Sequence, residues 1–100
     1  MKVDIKENSW IAKIAAKKLR SKKVAITIGK TIHLYHVSKT DFLKDTKWVR
    51  HEMCHIEQFK KYGFFTFILK YLWESLKVGY YNNKFEVEAR KAESSNYFSK

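Results

Sequence analysis

The sequence predicts an α+β domain, mostly helical, with one small β-hairpin packed beside its central helix. Three observations predict it. Proline is absent, so nothing in the composition interrupts a long helix. Apolar residues recur at helical spacing over most of the chain, while β-branched residues crowd into one stretch, 24–37. Finally, 100 residues that are 45% hydrophobic and 16% aromatic suffice for one small core and a single domain, 1–100. The same composition excludes a chain that is disordered over most of its length.

Asn8 or Ser9 can cap a helix that starts at Trp10. Trp10, Ile11, Ile14, Ala15 and Leu19 form its apolar stripe, and Lys13, Lys17, Lys18 and Arg20 surround it. Residues 1–22 are thus expected to be a basic amphipathic helix, lying on the core or on a membrane surface. VAITIGKTIHLYHV, 24–37, reads as two short strands joined by a tight turn at Gly29-Lys30. A short helix beginning at Ser38 or Thr40 follows.

From Lys47 to Tyr62 apolar residues return every three or four positions, and Gly63 ends that helix. The next, about 64–77, is apolar on most sides, which marks it as a core helix. Gly79 ends it, YYNN makes a loop, and Asn82 or Asn83 caps a last helix, KFEVEARKAES. The tail, 94–100, is expected to fray.

The formal charge is +11 and unevenly spread. Between Asn8 and Thr40 there are eight Lys/Arg and no Asp or Glu. Such a front half fits an anionic neighbour, lipid headgroups or nucleic acid, as well as it fits a plain solvated face. No groove-reading motif accompanies the charge, which argues against nucleic acid. Cys54 is the only cysteine, so no internal disulfide forms, as in a reducing compartment. MKVDIKENSW lacks the apolar stretch of a signal peptide, and FFTFILKYLW is too short to span a bilayer. A cytoplasmic protein that can touch a membrane is the expectation.

The chemistry lies in HEMCH, residues 51–55. A four-residue helical step turns about 400°, so His51 and His55 project from nearly the same face, one turn apart. Two imidazoles so placed can grip one tetrahedral Zn²⁺. Glu52 lies about 100° around the helix, displaced from the ligands but able to lean over the attacking water as general base. A catalytic zinc usually takes a third protein ligand from another element. Glu86, Glu88, Glu74, His33 and His36 are the candidates, and spacing alone does not choose among them. Gln58 shares the histidines' face and can bind a substrate carbonyl or steady a ligand. Cys54 adjoins that face and reads better as a small buried residue than as a thiolate ligand. Tyr80, Tyr81, His33 and His36 are candidate oxyanion donors.

HEMCH with NKFEVEAR resembles a minimal gluzincin, the class of zinc metallopeptidases with His-Glu-x-x-His on one helix and a glutamate ligand on a later one. Phe85, Glu86 and Ala89 match the Phe-Glu-x-x-Ala-Asp motif of CAAX-type peptidases and their soluble relatives, and that likeness favours Glu86 as third ligand. Arg90 stands where the family has Asp. That acid helps orient a zinc-bound histidine, so the support here must be built differently. The chain is also similar, over about residues 24–92, to small uncharacterised bacterial proteins carrying His-Glu-x-x-His-x-x-Gln, a Tyr/Trp-Gly, an aromatic helix and Asn-x-x-Glu-x-Glu-Ala. The resemblance implies a zincin-like fold in which a hairpin strand beside the site pairs with an extended peptide.

The leading expectation is therefore a zinc metallopeptidase with His51, His55 and Glu86 on the metal and Glu52 as base. Gln58, Glu88 and Tyr81 would touch substrate or support a ligand. Peptide or protein would be its substrate. The alternative is a non-catalytic protein that keeps zinc for stability and acts through its basic face on membrane or nucleic acid.

Overall fold

The computed structural model describes residues 3–94. Eight elements follow in order: β1 (Asp4–Lys6), α1 (Trp10–Leu19), β2 (Val24–Ile28), β3 (Thr31–Tyr35), α2 (Lys39–Lys44), α3 (Thr46–Tyr62), α4 (Phe64–Asn82) and α5 (Lys84–Glu93). The α+β expectation holds. The expected tail, apart from Ser94, lies outside the described residues.

The hairpin forms where the β-branched run lies, with Ile26 opposite His33 and Thr27 opposite Ile32. Gly29 takes φ 66° in the two-residue turn, a region that costs glycine nothing. Residues 1–22 do not form one helix. Asp4–Lys6 instead pairs in parallel with β3, giving the strand order β1-β3-β2. Three residues are too few for a periodic signal, and their pairing partner lies far along the chain.

The two sheet faces are read from side-chain alternation. Ile32 and Leu34 face α2 and α3 and bury Phe42 and Ile56 with them. Val24 and Ile26 face α1 and pack on Ala12 and Ala16. This corrects the expected stripe of α1. Its alanines, not its bulky residues, face the sheet, and Trp10, Ile14 and Leu19 remain 71%, 52% and 56% exposed. Small residues let the helix lie close against a small sheet. Ser9 caps α1 by accepting from Ile11 N at 3.2 Å.

α3 is capped by Asp45, which accepts from Trp48 N at 3.1 Å, and stops at Gly63, φ 86°. α5 packs along it through Cys54, Ala89 and Ala92, all fully buried. Small side chains at that contact bring the two helix axes together. Asn83 holds the start of α5. Its carbonyl oxygen accepts from Phe85 N at 2.8 Å, and its amide donates to Tyr71 O and Ser75 Oγ at 3.1 and 2.9 Å.

α4 differs from expectation twice. The regular helix does break at Gly79, where the backbone takes φ 83° and ψ 166°, but YYN beyond it is helical instead of a loop. It is also not a core helix: only Phe67 and Glu74 are buried in it. With α3 and α5 covering just one side, the rest of its apolar surface faces outward. Hydrophobicity all round predicts burial only when the fold has enough elements to surround the helix.

Candidate metal centre

His51 and His55 come from consecutive turns of α3, and Glu86 comes from the first turn of α5. Glu86 Oε1 lies 3.0 Å from His51 Nε2 and 3.2 Å from His55 Nε2. The three ligand atoms are within 4.8 Å of one another. Among the described residues no other three His, Cys, Asp or Glu side chains converge in this way.

The partners of the outer ring nitrogens decide what the inner ones offer. His51 Nδ1 sits 2.7 Å from Glu93 Oε2, an oxygen that only accepts when ionised. His55 Nδ1 sits 2.8 Å from Gln58 Oε1. The Gln58 amide nitrogen donates to Phe85 O at 3.0 Å and Glu88 Oε1 at 2.7 Å. Both are obligate acceptors, so the oxygen of Gln58 must be the atom facing His55. Each Nδ1 therefore carries its proton, and each neutral ring points an Nε2 lone pair at Glu86. Tyr71 donates its hydroxyl to Glu86 Oε2, which leaves Oε1 turned toward the rings. Three lone pairs converging in a buried space need a cation between them. The donor set, two imidazoles and one carboxylate, suits a divalent transition metal.

In the metal-free state protons fill that role. Burial works to lower the His51 pKa, but the hydrogen bonds to Glu86 and Glu93 and the charge of Glu52 outweigh it and raise it to about 9. Burial likewise opposes ionisation of Glu86, yet both histidines and Tyr71 hold its carboxyl well below the usual carboxylate range. Burial pushes Glu52 up, with His55 and the Thr27 hydroxyl pulling the other way.

Glu52 is buried on the sheet side of α3. It accepts from Thr27 Oγ1 at 2.8 Å, so β2 fixes its orientation. His51, Glu52, His55 and Glu86 together line a cavity of about 290 Å³. Val24, Ala25, Ile26 and Thr27 also line it. These alternate between the two faces of β2, so the cavity runs along the outer edge of that strand. No described strand pairs with this edge. Ala15 and Leu19 of α1 and Ile68 and Leu72 of α4 form its walls.

The other candidates fall elsewhere. Glu88 supports Gln58 and does not face the histidines. Glu74 accepts from Lys84 N at 3.3 Å and pairs with Lys77, at the start of α5. His33 bonds to Ser9 Oγ at 2.8 Å on the α1 side of the sheet, and exposed His36 stacks on Tyr35. Cys54 is the small buried residue of the α3–α5 contact. Tyr81 is exposed beneath the Arg90 guanidinium, 4.0 Å from ring centroid to charge, and does not line the cavity. Tyr80 does. Its partial burial and the charges of Glu86 and Glu52 outweigh Arg90 and raise its pKa to about 12.

Sequence reasoning missed Thr27, Tyr71 and Glu93. Nothing local marks the first two. Glu93 did carry a signal: it lies seven residues after Glu86, two turns along the same face of α5. Arg90, where the resembled family has an acid, donates to Tyr81 O at 2.5 Å and so fastens the α4–α5 junction. Glu93, three residues on, supplies the carboxylate that faces His51. No family model, curated protein or solved structure matches the chain.

Proposed function

We propose that this protein is a zinc-dependent hydrolase, a small metallopeptidase, with the metal on His51, His55 and Glu86. The observation that carries the proposal is the meeting of three metal-ligating atoms with a buried, hydrogen-bonded Glu52 in one cavity. A purely structural zinc site has no use for a fourth, unligating carboxylate in its pocket. Zinc bound there supplies a Lewis acid that lowers the pKa of water and polarises a carbonyl.

The chain's own residues do the rest. Glu52, oriented by Thr27, takes the proton of the attacking water and passes it to the leaving amine. Tyr80, a phenol that stays protonated at neutral pH, donates to the developing oxyanion. Glu93 and Gln58 keep the proton of each histidine on Nδ1, so each Nε2 stays available to the metal. The outer edge of β2 receives an extended peptide by strand addition, which favours a polypeptide substrate over a compact one.

The test is metal analysis of the purified protein beside Glu52→Gln and His51→Ala, followed by cleavage of a mixed-sequence unstructured peptide pool. Glu52→Gln should keep its zinc and lose about 10²- to 10⁴-fold in turnover, while His51→Ala should lose the metal. Full activity in Glu52→Gln removes the assigned base. Stoichiometric zinc with no cleavage of any peptide leaves the non-catalytic, zinc-stabilised reading in its place.

A further inference from the structure

The large exposed apolar residues of the helices that wall the cavity form two faces, of which the one on α4 borders the cavity. On α4, Phe65, Leu69, Leu72 and Leu76 recur at four, three and four, and are 78%, 69%, 54% and 82% exposed. On α1, Trp10 and Ile14 lie one turn apart and outward. Leu72 belongs both to the α4 face and to the cavity wall, so apolar surface runs along α4 from outside into the cavity, while exposed Leu19 of α1 lines the cavity from about 180° around its helix from Trp10. Monomeric proteins rarely leave so much contiguous apolar surface uncovered.

Charge identifies what covers it. α1 contains no acid, and its exposed cations are Lys13, Lys17 and Lys18. The one acid of α4, Glu74, is buried and bonded to Lys84 N and Lys77. α4 therefore presents an apolar face and α1 a set of cations, with no exposed acid on either helix. A second copy of a chain with net charge +11 would be repelled from such a surface. A sheet of anionic headgroups over hydrocarbon complements it in both respects. No described helix is long and apolar enough to cross a membrane, which leaves docking on the surface.

We propose that the apolar face of α4 and the cavity rim at Leu19 dock this protein on an anionic phospholipid bilayer, with the cations of α1 contributing to the attraction. Trp73, exposed at 63%, then sits at headgroup level, where indole is favoured. Together with the metallopeptidase reading, on which this clause alone rests, the docking makes polypeptide segments emerging from the bilayer the substrate class.

The experiment is co-sedimentation of the metal-loaded full chain with phosphatidylcholine vesicles, with and without phosphatidylserine, at low and high salt. Tryptophan emission is followed in parallel. Binding should require phosphatidylserine, weaken steeply with salt and shift the emission to the blue. Leu69→Glu with Leu76→Glu, both far from the metal, should bind at least about tenfold more weakly, losing two apolar contacts and adding repulsion. Lys13→Glu with Lys17→Glu, which leaves α4 intact, should weaken binding similarly. Retained zinc and helical circular dichroism certify that the variants are folded. Equal binding to neutral vesicles, or no binding at all, overturns the proposal. So does a wild-type dimer that Leu69→Glu with Leu76→Glu converts to monomer, because the seam then belongs to self-association. None of these readouts depends on catalysis, so a failure here leaves the zinc and Glu52 tests standing, and the reverse also holds.

Discussion

Replacing Glu93 with alanine tests the proposed metal centre at its least obvious member. The carboxylate accepts from His51 Nδ1 at 2.7 Å, and through that bond it holds the tautomer that aims Nε2 inward. Partners of this kind are worth about 10- to 100-fold in metal affinity, or roughly 1.4–2.7 kcal/mol. The Glu93 side chain is 34% exposed, so water can take over part of its role, and about tenfold is expected. Gln58 is 3% exposed and has no such substitute, so Gln58→Ala should approach about 100-fold. Arg90→Ala should leave affinity unchanged, because its guanidinium reaches Tyr81 and not a ligand.

The assay is competition against a chromophoric zinc chelator. It is run above pH 9, where a proton no longer competes for His51. At neutral pH, loss of Glu93 also lowers the His51 pKa, which eases metal entry and masks the effect. If Glu93→Ala binds zinc as tightly as wild type while Arg90→Ala does not, the assignment of the supporting carboxylate is wrong.

Other outcomes follow from single contacts. In the chelator-stripped protein His51 is protonated up to about 9 instead of its ordinary 6.5. Its contribution to stability is therefore full below about 6.5 and fades as pH rises through about 9; urea melts at several pH values read this directly. Metal affinity runs the other way and climbs over the same interval, because uptake displaces the proton. Thr27→Val, which frees Glu52 without touching a ligand, should keep zinc content and lower turnover about tenfold, measured as kcat on the peptide pool. Asn83→Ala removes three hydrogen bonds from a fully buried site and should destabilise the fold by about 2–3 kcal/mol, seen as an early thermal transition. Phe42→Ala, fully buried between the sheet and α3, should cost about 3–5 kcal/mol.

What the sequence by itself determined is what neighbours along the chain decide. The α3 helix, its stop at Gly63, the turn at Gly29 and the shared face of His51 and His55 are local matters of backbone and period. The overall α+β class followed from them. The choice of Glu86 came from a resemblance, not from spacing, and it was the packing of Cys54 against Ala89 and Ala92 that brought that carboxylate to the histidines. Tertiary structure alone decided the rest. A three-residue β1 exists only because β3 offers it an edge. Thr27 meets Glu52 because the sheet lies under α3. Tyr71 reaches Glu86 across two helices. The outward apolar faces of α1 and α4 follow from how few elements the chain has to cover them. Period and composition record how hydrophobic a helix is, but only the assembled fold determines which of its sides another element reaches.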